Sequence, residues 1–227
     1  MPFKILYVTA TTAEAESVKT ILHTIPVRAA IRNFEISILV TGVGSVATAW
    51  VLKQWISTNG KPDLIINAGI AGSYRAEIAI GEVVLLRTDC FADAGIEDDE
   101  DFITLFEAGF MSENEFPFKH GILSADPVYF NKLKKILMPV NAITVNTSTG
   151  SESSKSRLVK KFNPDIETME GATFFYICSR ENIPFLALRA ISNMVEKRNK
   201  ANWNIKLALD NLSSKLNDIF LTLQGKI

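Results

Sequence analysis

The chain has 227 residues, 47% apolar and 22% charged, with a formal net charge of −1. This composition is ordinary for a folded globular protein, and the near balance of charge gives no electrostatic case for nucleic acid or an anionic membrane as a partner. No stretch approaches the roughly 20 apolar residues of a membrane span. The opening Met-Pro-Phe-Lys has no apolar core of signal-peptide length. The two cysteines, Cys90 and Cys178, fit no metal spacing and point to reduced thiols in a cytoplasmic protein. The only histidines, His23 and His120, lie far apart, which argues against a histidine metal site or a Ser-His-Asp triad.

Lys4 to Thr9 is rich in β-branched and aromatic residues and reads as a buried strand. A helix over Glu14 to Leu22 follows, with Thr11 or Thr12 as its N-cap. A second strand, Phe34 to Val40, ends in Thr41-Gly-Val-Gly44, and the strongly apolar Ser45 to Ile56 reads as a buried helix. Strands are expected at Leu64 to Asn67, closed by the turn Ala68-Gly-Ile-Ala-Gly72, and at Glu82 to Leu86. The acidic run Glu97 to Asp101 reads as a solvated loop. The segment 102–118 carries Phe102, Phe106, Phe110, Phe116 and Phe118 without a period, and reads as a long loop with helical pieces, a lid or an oligomer contact. A short strand at Gly121 to Leu123, a helix at Tyr129 to Leu137 and a strand at Ala142 to Asn146 lead into the polar loop Thr147 to Ser154. Asp165 to Asn193 reads as a strand, a helix entered at Glu170, a break at Ile183-Pro184 and a buried strand over Phe185 to Leu188. Ile205, Leu209, Leu212, Leu216, Ile219 and Leu223 form one face of a final amphipathic helix. The alternation of strands and helices predicts one α/β domain over residues 1–227, a mostly parallel sheet flanked by helices.

In an open α/β sheet, ligands bind beyond the carboxyl ends of the strands. Glu170, between Met169 and Gly171, is a carboxylate in an apolar setting and needs a partner, which ligand hydroxyls would supply. Asn193 ends the last strand, as a site residue or as a strand-end cap. Glu14 and Glu16 are acidic candidates after the first strand, although glutamates are common at helix starts. Asn67 to Gly72 lets backbone approach a ligand closely. Thr41-Gly-Val-Gly44 is half of a dinucleotide fingerprint lacking its third glycine, and there is no Walker P-loop, so NAD and triphosphate chemistry are disfavoured.

Taken together, Asn67-Ala-Gly-Ile-Ala-Gly72, Glu167-Thr-Met-Glu-Gly-Ala172 and Arg189-Ala-Ile-Ser-Asn193 resemble the signature segments of the nucleoside phosphorylase/nucleosidase superfamily, in the same order and at similar spacing over nearly the whole chain. Within it the chain looks closest to the methylthioadenosine/S-adenosylhomocysteine nucleosidases, and most like the futalosine hydrolases of the alternative menaquinone pathway. The resemblance implies the three-layer fold of that superfamily and hydrolysis of an N-glycosidic bond, with no cofactor and no metal. It implies that Glu170 holds ribose hydroxyls and that Glu14, with Glu16 as the fallback, activates water. It also implies that Ala68, Gly69 and Met169 line the pocket. Phosphorylases of the superfamily carry a Gly-Asp-Pro turn and an arginine near the first strand. Here Ala10-Thr-Thr-Ala13 stands in that place with no arginine before Arg28, which favours water over phosphate as nucleophile.

Adenine-specific relatives carry Asp where this chain has Asn193, and an amide donor suits a 6-oxopurine. The expected base is therefore of hypoxanthine type, and together with the resemblance this implies futalosine as substrate, releasing hypoxanthine and dehypoxanthine futalosine. Asn193, aided by Ser192, would stabilise the charge on the leaving purine. Trp203 is a candidate for stacking on the base or, alternatively, a core anchor for the last helix. A homo-oligomer is expected. The competing readings are a methylthioadenosine/S-adenosylhomocysteine nucleosidase or another purine nucleosidase, and a non-catalytic nucleoside-binding protein.

Overall fold

The computed structural model describes residues 2–22, 33–99 and 101–224. His23, Arg28 and Glu100 of the acidic run lie outside them. The strands are β1 (Phe3–Thr9), β2 (Phe34–Val40), β3 (Leu64–Ser73), β4 (Val83–Asp89), β5 (Gly95–Asp98), β6 (Asp101–Thr104), β7 (Leu123–Ser124), β8 (Met138–Thr144), β9 (Ile166–Thr168) and β10 (Phe185–Met194). The helices are α1 (Thr12–Leu22), α2 (Ser45–Asn59), α3 (Pro127–Leu133), α4 (Glu152–Phe162), α5 (Gly171–Glu181) and α6 (Ile205–Gln224).

One sheet runs in the order β10-β4-β8-β9-β3-β1-β2, with β7 added to β4. The pairs β1/β2, β1/β3, β3/β10, β4/β8 and β8/β9 are parallel; β10/β4 and β3/β9 are antiparallel. Because β10 also pairs with β3, five of these strands close into a ring, and β1 and β2 extend from it. The sheet is mixed and mostly parallel, as the sequence predicts.

Strand alternation distributes the apolar side chains to two cores. Leu6, Val8, Ile65, Phe185, Ala187 and Ile191 pack with Leu52 and Ile56 of α2 and Phe174, Phe175 and Ile177 of α5. The intervening residues Ile5, Tyr7, Leu64, Ile66, Leu186 and Leu188 pack with Val18 of α1 and Leu212, Leu216, Ile219 and Leu223 of α6. Period-two alternation on the strands thus gives a sheet with helices on both faces.

Several boundaries differ from expectation, each for a physical reason. β3 does not stop at Asn67 but runs through the glycine-rich segment to Ser73, because β10 pairs with it along that length. β10 likewise extends through Asn193. Helix α2 is apolar but only Thr48, Leu52 and Ile56 are buried, while Val46 is 82% exposed and Trp50 70%. Helix α3 starts earlier than the pattern suggests, because Asp126 caps it and Pro127 opens it. The Phe-rich segment holds no helix among its described residues. In the acidic run, Glu97 and Asp98 end β5 and Asp101 begins β6, paired antiparallel rather than looped out, and Phe106 and Phe118 pin the rest to the core, their rings 5.1 Å apart.

Two features of β3 and β10 prepare the site. One edge of β3 is shared: residues 64–67 pair with β1, and Gly72 and Ser73 with β9. Residues 68–71 of that edge pair with neither strand. The register of β10 against β3 shifts between Ile191 and Asn193, so that Asn193, not Ser192, stands opposite Gly72.

Candidate active site

Glu14 sits at the start of α1 in a capping box, Thr11-x-x-Glu14. The Thr11 hydroxyl oxygen accepts the Glu14 N–H at 3.3 Å. In return Glu14 Oε2 accepts the Thr11 N–H at 2.8 Å, the Thr11 hydroxyl at 2.9 Å and the Ala10 N–H at 3.1 Å. Its other oxygen, Oε1, crosses to the unpaired edge of β3 and accepts the Ile70 N–H at 3.0 Å. The side chain can come this close because residue 69 is glycine: a Cβ there would lie 2.4 Å from Oε1. Glu14 is buried; Glu16 is exposed and pairs with Lys19 at 2.7 Å. Glu14 borders the cavity and Glu16 does not.

Glu170 occupies the N-cap position of α5 without capping it through its side chain. Its Oε1 reaches instead to the loop after β2 and accepts the Gly44 N–H at 2.9 Å. Gly44 has φ +92°, a conformation open to glycine and strained for other residues. Burial raises the pKa of the Glu170 carboxyl; the charge of Arg189 and the N–H groups of Gly44 and Met169 pull it down, and nearby Glu14 pushes it up. Arg189 is itself fully buried, its guanidinium donating to Asn67 Oδ1 at 2.6 Å and to the Leu188 carbonyl at 2.8 Å.

Asn193 is oriented by its neighbours. The Ser192 hydroxyl donates to Asn193 Oδ1 at 2.7 Å, and Asn193 Nδ2 donates to the Met194 carbonyl at 3.0 Å. The amide oxygen is thereby engaged, and Nδ2 keeps one hydrogen uncommitted. Gly72 makes room for it, since a Cβ there would lie 3.2 Å from Nδ2.

Glu14, Met169, Glu170, Ser192 and Asn193 line one cavity of about 180 Å³, with Val43, Ile70, Ala71 and Gly72 as apolar wall and Thr149 and Glu167 at another side. Two expected lining residues are placed differently. Ala68 is fully buried among the apolar side chains beneath the sheet, and Gly69 backs Glu14 rather than facing the cavity. Ile70, Ala71 and Gly72 of β3 line the cavity instead. Trp203 is half-buried at the cavity with Arg198 over its ring at 5.8 Å; it anchors no core. The 147–154 loop contributes Ser148 and Thr149 to the cavity before Ser151 caps α4. A larger hollow of about 470 Å³ lies beyond those two residues, among Asp93, Arg157 and Lys161, but contains neither Glu14, Glu170 nor Asn193. Thr11, Ser148, Thr149, Glu167 and Thr168 are polar cavity residues to which the sequence pattern assigns no individual role. The Ser/Thr-x-x-Glu spacing is a usable signal for the first; nothing local marks the other four.

Three carboxylates, those of Glu14, Glu167 and Glu170, and the Asn193 amide surround this one small cavity. A model of the phosphorylase superfamily matches residues 4–223, and the chain belongs to that superfamily. It is 30% identical to the futalosine hydrolase of Thermus thermophilus over 182 residues, 77% of this chain and 76% of the relative. Against the futalosine hydrolase of Streptomyces coelicolor the identity is 28% over 194 residues, 83% and 80% of the two chains. Among solved structures, a 5′-methylthioadenosine/S-adenosylhomocysteine nucleosidase of Helicobacter pylori superposes with a TM-score of 0.80 at 17% identity, over 96% of this chain and 98% of that one.

Proposed function

We propose that the chain hydrolyses the N-glycosidic bond of futalosine and releases hypoxanthine. The observation that carries the reading is the convergence of Glu14, Glu170 and an oriented Asn193 amide on one cavity, in a chain similar to futalosine hydrolases along most of its length. As the bond breaks, the ribosyl carbon gains oxocarbenium character and the purine gains negative charge. Glu170 accepts hydrogen bonds from the ribose hydroxyls. Glu14 Oε2 already accepts three protein donors, whereas Oε1 accepts one. Oε1 is therefore the oxygen with room to take a proton from water at the anomeric carbon. Asn193 Nδ2 donates to O6 or N7 of the leaving base, a preorganised dipole aimed where charge develops. Water is favoured over phosphate because no Lys or Arg is among the described residues lining the cavity.

The exposed Val43, Val46, Trp50, Phe110 and Phe116 support self-association into a homo-oligomer. The free thiols Cys90 and Cys178 fit a reducing cytoplasm.

The test is base release. Purified protein is incubated in phosphate-free buffer with futalosine, inosine, methylthioadenosine and S-adenosylhomocysteine, and the products are separated by chromatography. Hypoxanthine from futalosine is expected. Adenine from the thio-nucleosides at a higher rate, or release only after phosphate is added, would overturn the proposal.

A further inference from the structure

Helix α5 is capped from outside. Glu170 holds its N-cap position, yet the side chain caps none of the N–H groups of the first turn; it leaves for Gly44 and the cavity. The first N–H groups of a helix have no partner within it and need one elsewhere. Three adjacent strands supply it. β4, β8 and β9 run parallel side by side, and each ends on a polar residue: Asp89, Thr144 and Thr168. All three are buried, and the mechanism above uses none of them.

Their hydrogen bonds run one way. The Gly171 N–H donates to Thr168 Oγ1 at 3.1 Å, and the Ala172 N–H to Thr144 Oγ1 at 2.7 Å. The Thr144 hydroxyl donates to Asp89 Oδ1 at 3.0 Å. Its one proton is thereby committed, so in the contact between the two threonine hydroxyls, also 3.0 Å, Thr168 is the donor. Every proton in the chain points toward Asp89. Asp89 Oδ2 accepts no hydrogen bond among the described residues. It lies against Gly171, where a Cβ would come within 2.1 Å of it. The missing side chain at 171 is what lets the carboxyl reach the start of the helix, and a negative group there suits the helix dipole.

We infer that Asp89 is a positioning residue for Glu170: through Thr144 and Thr168 it caps α5 in place of the N-cap side chain, and so frees the Glu170 carboxylate for the ribose hydroxyls while fixing where it stands. The inference rests on the functional reading above and deepens it. An N-cap side chain that satisfies its own helix has its oxygen turned to the N–H groups of the first turn. Such a carboxylate is not available to a ligand. Here the strand ends take over that work, and Glu170 is held between the Gly44 N–H on one side and an anchored first turn on the other. Without the terminal acceptor the Thr144 proton has no fixed direction, the first turn loosens, and the residue that begins it moves.

The experiment reads a ratio at pH 8, above the value of about 7 to which burial raises the Asp89 carboxyl. Futalosine is compared with its 2′-deoxy analogue by kcat/KM in the wild type and two variants. Asp89→Leu has no acceptor; Asp89→Asn keeps a carbonyl oxygen for the Thr144 hydroxyl. The preference for futalosine should fall roughly ten-fold or more in Asp89→Leu, the worth of a hydrogen bond to a charged group, and by less than about three-fold in Asp89→Asn. Loss of folded protein lowers both substrates alike and leaves the ratio in place. An unchanged ratio in Asp89→Leu therefore overturns the inference, and so does an Asp89→Asn ratio that falls as far. If Asp89→Leu does not fold, Thr144→Val, nearly the same shape without the hydroxyl, takes its place with the same expected fall, and an unchanged ratio there overturns the inference. Wild-type protein that releases no hypoxanthine from futalosine sinks the functional reading itself, an outcome distinct from hypoxanthine release with a ratio that Asp89→Leu leaves alone.

Discussion

Replacing Glu14 by glutamine changes one atom and separates two jobs that this side chain performs. In the native site Oε2 faces three donors and Oε1 faces one, the Ile70 N–H. A glutamine amide has one acceptor oxygen. Turning its NH2 toward Thr11 and Ala10 would set three donors against it, so the amide oxygen goes there and the NH2 turns to Ile70. The cost is then one orphaned backbone N–H at a buried edge, about 1–3 kcal/mol. In a chain of this size that corresponds to a fall in Tm of roughly 2–12 °C. The same rotation puts an NH2 where the proton of the attacking water must be accepted. Loss of a general base slows turnover by typically 10²–10⁴-fold, and KM should change little because the ribose and base contacts remain. The assay is hypoxanthine release under saturating substrate, with a melting curve on the same preparation. Glu16→Gln is the control: its exposed pair with Lys19 is worth well under about 1 kcal/mol, and both readouts should stay at wild-type values. Glu14→Gln retaining more than a tenth of wild-type turnover would remove Glu14 from the base role.

Three further perturbations test other parts of the site. Gly69→Ala places a methyl group 2.4 Å from Glu14 Oε1; turnover should fall at least a hundred-fold with a stability loss of about 1–3 kcal/mol, and normal steady-state rates would show that Glu14 has freedom the packing denies it. Asn193→Asp should lower hypoxanthine release and raise the ratio of adenine to hypoxanthine nucleoside cleavage by ten-fold or more; an unchanged ratio in a competition assay would refute the role of the Nδ2 donor. Asp89 concerns stability and pH: burial foremost raises its pKa to about 7, against the pull of the Thr144 hydroxyl and Arg189. A carboxyl whose folded pKa is raised stabilises the fold below the ordinary carboxylate range and loses that contribution as pH rises through about 7. Unfolding free energies from urea titration should therefore decline from pH 5 to pH 8, by roughly 3 kcal/mol at most, and Asp89→Asn should flatten the profile; an equally steep decline in the variant would refute the assignment.

The sequence was readable where local rules decide. The amphipathic period of α6, the β-branched run of β1 and the break at Ile183-Pro184 follow from spacing and backbone chemistry, and the structure has them. Glu170 and Asn193 were legible because each lies where an apolar strand gives way to polar residues. The glycine-rich stretch after Asn67 was not, because its strand character is imposed by β10, a partner more than a hundred residues away in sequence. The same long-range pairing removed Ala68 from the cavity wall and substituted Ile70 and Gly72. The apolar content of α2 signalled burial, yet one face is exposed: composition reports what a surface is made of and not what covers it. Glu167 was invisible as a cavity residue for a related reason, since three residues of β9 carry no pattern and only its place opposite Gly72 turns it inward.

The register shift in β10 has a consequence for how such a site changes over time. On a regular strand, neighbours face opposite ways, so Ser192 and Asn193 would not both line the cavity. The bulge works as a one-residue frameshift in three dimensions: upstream of it the strand serves the hydrophobic interior, and downstream its reading frame is offset to serve the ligand. The identity of the residue at 193 can therefore be exchanged without touching the core, while the pairing of Asn193 with Gly72 belongs to the sheet register, with Ser192 as the extra residue that the bulge accommodates.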